Sequence, residues 1–93
     1  MTLITGPVIR TRYLGPTNHR GSRVVAEHRR DSLGSWRSIV SYDPGVDAIQ
    51  NHYRAALDLI ESCPMSEWGV QVLAVGVDRD GYFFTVGDPP ELD

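Results

Sequence analysis

The segment GPTNHRGSR at residues 15–23 combines residue types that proteins use to hold an anion. Arginine offers a planar fork of N–H donors that fits a phosphate, and glycine-rich backbone can turn successive amides toward a bound anion. The segment therefore predicts an anion-binding loop, with its amide nest near Gly21. Its candidate binding residues are Asn18, His19, Arg20, Ser22 and Arg23. It lacks the Gly-Lys-Ser/Thr sequence and following helix of a nucleotide-binding P-loop. The alternative is an ordinary hairpin loop, in which Arg23 pairs with an acidic side chain of the second half of the chain.

A second candidate surface is formed by arginines on the strands that flank this loop. Its members are Arg10, Arg12 and Arg37, with Arg29 and Arg30 at the end of the second predicted strand. With Tyr13 and Trp36 nearby in sequence, such a sheet could track phosphates and stack bases. Alternation, however, places Tyr13 on the face opposite Arg10 and Arg12. The alternative is therefore a solvated charged face, with the aromatic rings in the core.

Charge is distributed unevenly along the chain, although the net charge is only −3. Residues 1–40 hold seven arginines against two carboxylates, a net charge of +5. Residues 41–93 hold two arginines against ten carboxylates, a net charge of −8. Such asymmetry indicates an interaction surface. The alternative is that the two halves pack together and neutralise each other locally.

The remaining reactive residue types form no recognisable catalytic pattern. His19, His28 and His52 fall in a loop, a strand and a helix, without the HxH or HExxH spacing of a metal site. The single cysteine, Cys63, excludes an internal disulfide and lies at a predicted helix C-terminus, where the helix dipole disfavours a thiolate. We therefore expect no metal and no cofactor, and a binding protein rather than an enzyme.

Alternating segments predict the strands that position these side chains. Strands are predicted over residues 7–14, 22–29 and 36–42, separated by GPTNHRG and RDSLGS turns. A final hairpin is predicted from residues 70–77, the turn DRDG and residues 82–87. The tail at 88–93 is expected to fray.

Between these strand groups, the apolar spacing changes to the three and four residues of an amphipathic helix. The predicted apolar stripe is Val46, Ile49, Tyr53, Ala56, Leu57 and Ile60. The predicted polar face is Gln50, Asn51, Arg54, Asp58 and Glu61. Asp47 is favoured over Asp43 as the N-cap, and Cys63 before Pro64 ends the helix. The chain is thus expected to be one domain, residues 1–93, of the α+β class: a five-stranded antiparallel sheet in β-β-β-α-β-β order, with the helix packed on one face.

The residues RTRYLGPTNHRGSRVVAEHRRDS, followed by SYD and NHYRAA, resemble a group of small uncharacterised phage and prophage proteins that carry a YLGPTNxRGSR-like segment. The resemblance covers most of the chain up to the helix, and the last hairpin more loosely. Thr17, Asn18 and residues 20–23 carry it. It implies a small accessory product of a mobile element, and it transfers no catalytic or binding residue.

Together these patterns favour a non-catalytic protein that contacts nucleic acid or another polyanion through the arginine-bearing hairpin loop and the neighbouring strands. One alternative is an anti-CRISPR-like inhibitor of a host defence complex, whose carboxylate-rich second half resembles nucleic acid. Another is a small anionic ligand or substrate, which requires a closed pocket lined by His19, Arg20 and Ser22. No apolar run approaches the roughly 20 residues of a membrane helix and no secretory signal precedes the first strand, so we expect a cytoplasmic location without membrane contact. One helix covers only part of a five-stranded sheet, so dimerisation is a further expectation.

Overall fold

The computed structural model describes residues 6–31, 34–63 and 71–87. In chain order the elements are β1 (Val8–Leu14), β2 (Arg23–Asp31), β3 (Gly34–Ser41), α1 (Ala48–Ser62), β4 (Gln71–Asp78) and β5 (Gly81–Gly87). The strands form one antiparallel sheet in the order β3-β2-β1-β5-β4, and α1 packs on one face of it. The predicted α+β class and element order are confirmed. The predicted frayed tail at 88–93 lies outside the described residues.

The first three strands form the meander that alternation predicts. Thr11 lies opposite Ala26 and Arg12 opposite Val25 between β1 and β2, and Val25 lies opposite Ile39 between β2 and β3. Because side chains alternate along each strand, Thr11 and Ala26 face the helix while the other three face away from it. The sequence left the strand order open; in the structure β5, not β4, is the partner of β1.

The core lies between α1 and the sheet face beneath it. Its buried members include Ile9, Val24, Ala26, Ala55, Ala56, Leu59, Phe84 and Val86. The helix packs most extensively on β2 and β3 and less on β1 and β5, so β4 extends beyond the part of the sheet that α1 covers. The opposite sheet face carries no covering element among the described residues.

The helix begins and ends where the sequence predicts. The amide of Gln50 donates to Asp47 Oδ1 at 3.0 Å, which identifies Asp47 as the N-cap. The last helical residue is Ser62, and Cys63 is the C-cap.

The predicted apolar stripe of α1 was partly wrong, because the buried face is rotated toward two polar residues. Asn51 and His52 are buried at 1% and 5% exposure, whereas Ile49 and Leu57 are 39% and 37% exposed. Asn51 was expected on the outer face. It lies inside because its Oδ1 accepts from the Asp43 amide at 2.7 Å, and its Nδ2 donates to the Asp43 and Asp47 carbonyls at 2.8 and 3.0 Å. A buried amide whose groups are satisfied in this way costs little, and a hydrophobicity pattern does not detect it.

The last hairpin has the predicted turn at Asp80-Gly81. The amides of both residues donate to Asp78 Oδ1, at 2.8 and 3.0 Å. A Cβ at residue 81 would lie 1.9 Å from the carbonyl oxygen of Thr11. Glycine is therefore required where β5 passes closely against β1.

Candidate polyanion-binding face

The sheet face that α1 leaves uncovered carries five arginines of the first three strands. We call this set the arginine face: Arg10 and Arg12 on β1, Arg23 and Arg29 on β2, and Arg37 on β3. Arg23 is half-buried and the other four are exposed. Arg10 and Arg12 share a face, as alternation predicts, and the register of β1, β2 and β3 places Arg37 on the same face. The side chain of Arg30 lies outside what the structure describes.

A row of four cross-strand neighbours, basic, acidic, basic and aromatic in turn, crosses the middle of the arginine face. Arg37, Glu27, Arg10 and Phe83 lie side by side on β3, β2, β1 and β5. The Arg10 guanidinium carbon lies 5.0 Å from the centroid of the Phe83 ring, within the range of a cation–π contact. Glu27 Oε1, inside this row, accepts from the Nε of exposed Arg29, two residues along β2, at 3.3 Å.

Most guanidinium groups of the arginine face have no acidic partner among residues 6–31, 34–63 and 71–87. Within the described residues, the ion pairs closer than 4.0 Å join Arg29 to Glu27 and Arg79 to Asp80. Neither pair joins the basic first half of the chain to the acidic second half. In the part of the chain that the structure describes, the guanidinium donors of Arg10, Arg12 and Arg37 are thus not taken up by ion pairs.

A depression of about 540 Å³ lies over β1 on this face. It is lined by Arg10, Arg12, Tyr13, Val25, Glu27, Arg29, Asp78, Asp80, Gly81 and Phe83. Val25 is only 2% exposed although it lies on the side away from the helix. Its neighbours across the strands are Arg12 and Ile39, and six of the ten residues that line the depression are charged. Asp78 and Asp80 form the acidic rim at the β4–β5 turn.

The hairpin loop presents its predicted binding residues at the surface but does not form the predicted nest of amides. Asn18, His19 and Arg20 are exposed. The amides of His19 and Arg20 donate to Thr17 Oγ1, at 3.3 and 3.0 Å. A nest requires a residue with positive φ. Among the described residues Gly81 has positive φ, and Gly21 does not. The nest was therefore wrong: this loop can contact an anion through its side chains.

Two further predicted residues, Ser22 and Arg23, lie half-buried at the base of the loop. Ser22 is half-buried, and its Oγ lies 2.7 Å from the hydroxyl of Tyr13. Arg23 has no carboxylate within 4.0 Å among the described residues, so the predicted alternative of an ion pair with the second half is not formed there. Its Nε is buried without a hydrogen-bond partner. Since His19 and Arg20 are exposed loop residues, they do not line the closed pocket that a small-ligand site would require.

The two aromatic residues considered for base stacking lie on the helix side of the sheet. The ring of Tyr13 makes an edge contact with Tyr42, with 5.3 Å between centroids. The ring of Trp36 packs on His28 at 5.5 Å. The pairing of Tyr13 with buried Val24 confirms that alternation directs it away from Arg10 and Arg12, although Tyr13 also borders the depression.

Phe83 is the aromatic residue of this face that sequence reasoning missed. The sequence does indicate the side of the strand on which Phe83 lies, since alternation in YFFTVG places it opposite Tyr82 and Phe84. What linked it to Arg10 was the pairing of β5 with β1, which connects residues far apart in the chain.

Comparison with protein-family models, with curated proteins and with solved structures returned no match for this chain. Its resemblance to small phage and prophage proteins stays a prediction. Among the described residues, no helix combines the length and apolar character needed to span a membrane.

Proposed function

We propose that this protein binds nucleic acid without catalysis, through the arginine face and the exposed side chains of the adjoining hairpin loop. The observation that carries the proposal is the group Arg10, Arg12 and Arg37. These three exposed side chains share one sheet face and, within the described residues, have no carboxylate within 4.0 Å.

The spacing of these arginines suits a charged polymer. Arg10 and Arg12 are two residues apart on one strand, about 7 Å between Cα atoms, and Arg37 is two strands from Arg10, about 10 Å away. Long side chains at these separations can reach different phosphates of one backbone. Each phosphate neutralised releases condensed counterions, so such binding is strengthened at low salt.

The acidic residues do not prevent this contact: Glu27, within the arginine face, pairs with Arg29, and several others lie away from that face. Asp47 caps α1, and Asp58 and Glu61 are exposed on α1, across the sheet from the arginines. Asp78 and Asp80 approach the arginine face at its rim. A polyanion is therefore attracted to one side of a protein whose net charge is −3.

The test is fluorescence anisotropy with a labelled 20-nucleotide strand, titrated at several salt concentrations. We expect the triple variant Arg10→Ala, Arg12→Ala, Arg37→Ala to lose at least about tenfold in affinity. The logarithmic salt slope should also fall by about 2, at roughly 0.7 per phosphate contact with a single strand. The matched control is Arg54→Ala with Arg79→Ala, which removes two exposed arginines outside the arginine face. No binding at low salt, or equal losses in both variants, would overturn the proposal.

A second candidate function is inhibition of a host defence protein by the acidic side of the molecule, as expected of a mobile-element accessory. The exposed carboxylates of Asp58 and Glu61 on α1 favour it. The triple arginine variant separates the two functions, because it leaves this acidic side unchanged.

A further inference from the structure

One side of the Phe83 ring is covered by the Arg10 guanidinium, and the neighbouring residue on the other side is Gly76, which has no side chain. On β5, Phe83 lies between Arg10 of β1 and Gly76 of β4. The Arg10 guanidinium carbon is 5.0 Å from the ring centroid, on the β1 side. The opposite side of the ring is therefore directed toward β4, where Gly76 leaves space.

The fold does not require glycine at position 76. Gly76 does not have positive φ, and a Cβ built there meets no atom within 4 Å. Gly81, in contrast, is required by the close approach of Thr11. Glycine inside a strand weakens the strand and often marks a place where a ligand comes close to the backbone.

The space beside Phe83 has a defined outline. Ala74 and Asp78 share the face of Gly76, one on each side along β4. The small side chain of Ala74 leaves one end open, and the carboxylate of Asp78 marks the other end. We call this open surface the slot: the Phe83 ring borders it toward β1, the backbone of Gly76 lies beneath it, and Arg10 lies on the far side of the ring.

We propose that this slot takes one unpaired nucleobase, which stacks on Phe83 above Gly76 while Arg10 and Arg12 contact the flanking phosphates. This inference rests on the proposed function and specifies its ligand as single-stranded nucleic acid. Stacking on an aromatic ring is available to every base that is free of a duplex. A base in a duplex already stacks on its neighbours and cannot enter, and Asp78 and Asp80 at the rim repel the phosphates of a second strand.

The experiment compares a 15-nucleotide thymidine DNA strand, the corresponding uridine RNA strand, a blunt DNA duplex and inorganic polyphosphate. Two variants alter the slot: Phe83→Leu removes the aromatic ring, and Gly76→Leu fills the space. The matched control, Val77→Leu, changes the next residue of β4, whose side chain points to the opposite face. Thermal unfolding of each variant verifies that it folds.

We expect the wild type to bind the single strands at least about fivefold more tightly than the duplex. Both slot variants should lose at least about fivefold in affinity for the single strands and retain their polyphosphate affinity within about twofold. The control Val77→Leu should not lose affinity for the single strands. Upfield NMR shifts of the Phe83 ring protons on addition of the strand would support stacking directly. Tighter binding of RNA or of DNA supports the slot in either case and identifies the preferred sugar.

Two results would overturn the inference in distinguishable ways. If Phe83→Leu and Gly76→Leu bind single strands like the wild type while the triple arginine variant does not, the slot is wrong and the proposed function stands. If the wild type binds neither the strands nor polyphosphate, the proposed function fails and the slot fails with it.

Discussion

His52 is a titratable side chain inside the core, on the side of the sheet opposite the arginine face. Its Nδ1 lies 2.7 Å from Thr11 Oγ1, and its ring packs on that of Tyr82 with 4.5 Å between centroids. Burial lowers the pKa of His52 below its ordinary value of 6.5, because the charged ring loses its hydration. The neutral ring is thus the form that the folded protein stabilises.

This burial predicts a loss of stability in acid. The pKa of His52 is lower in the folded state than in the unfolded state, so the unfolded chain binds the proton first as the pH falls. The contribution is complete above pH 6.5 and is lost progressively as the pH falls from there toward the folded pKa. We expect urea unfolding to show a smaller free energy of unfolding at pH 5.5 than at pH 7.5. His52→Gln should reduce this difference, and His19→Gln in the exposed loop should retain it; parallel pH profiles for wild type and His52→Gln would contradict the assignment.

Among the elements, the junction of β3 with α1 depends on Asn51. Its side chain joins Asp43, at the end of the meander, to the first turn of the helix. Asn51→Ala leaves the Asp43 amide without its acceptor and removes one donor from each of the Asp43 and Asp47 carbonyls, which keep the backbone amides of Val46 and Asn51 as donors. We expect it to cost about 2 kcal/mol in the free energy of unfolding. The control is Gln50→Ala, an exposed neighbour in the same turn, with an expected change of about 0.5 kcal/mol or less. Urea unfolding measures the free energy of unfolding of both variants. Equal losses of stability would show that the Asn51 side chain does not link β3 to α1 in the way proposed.

The elements themselves were predictable because local patterns determine them. Alternation predicts the strands around Arg10 and Arg37, and Asp47 with Pro64 delimits the helix. Each of these signals acts within a few residues, where backbone preferences and capping hydrogen bonds are decided. The same reasoning assigned Arg10 and Arg12 to one face, whereas the position of Arg37 relative to them depends on the strand register.

The rest of the candidate site depends on contacts between distant parts of the chain. Phe83 reaches Arg10 only because β5 inserts beside β1, and no local pattern predicts that pairing. The rotation of α1 likewise follows from hydrogen bonds of Asn51 and the contact of His52 with Thr11, which a hydrophobicity pattern cannot detect. The prediction of an amide nest was wrong for a local reason. The composition of the loop permits a nest, but Gly21 does not have positive φ, and the amides of His19 and Arg20 donate to Thr17 Oγ1.

In the molecule as a whole, the uneven distribution of charge along the chain becomes an uneven distribution of charge between the two faces of the sheet. The three N-terminal strands direct five arginines to one side, whereas α1 carries exposed carboxylates on the other. The last hairpin brings Asp78 and Asp80 to the rim of the arginine face without ion pairs to Arg10 or Arg12. An anionic strand bound as proposed would therefore meet a basic surface with an acidic border, which favours one orientation of approach.

The two edges of the sheet differ in a way that bears on the predicted dimer. The edge strand β3 contacts α1 and carries the charge of Arg37. The other edge strand, β4, has no charged residue before Asp78, and its Val75 and Val77 are 44% and 69% exposed. An edge of this kind can pair with a second strand. A bulge between Val72 and Ala74 restricts regular pairing to the second half of β4.

We therefore expect two copies of the chain to associate through antiparallel pairing of their β4 strands. A two-fold axis perpendicular to the sheet would place both arginine faces on the same side, so that one nucleic-acid strand could cross them in succession. Light scattering after size-exclusion chromatography should show a dimer for the wild type. Val77→Lys should shift it to the monomer, because a charged side chain at an edge opposes pairing. Ser35→Lys on β3 is the matched control and should leave the dimer unchanged; a wild-type monomer at every concentration, or equal effects of both lysines, would exclude β4 as the interface.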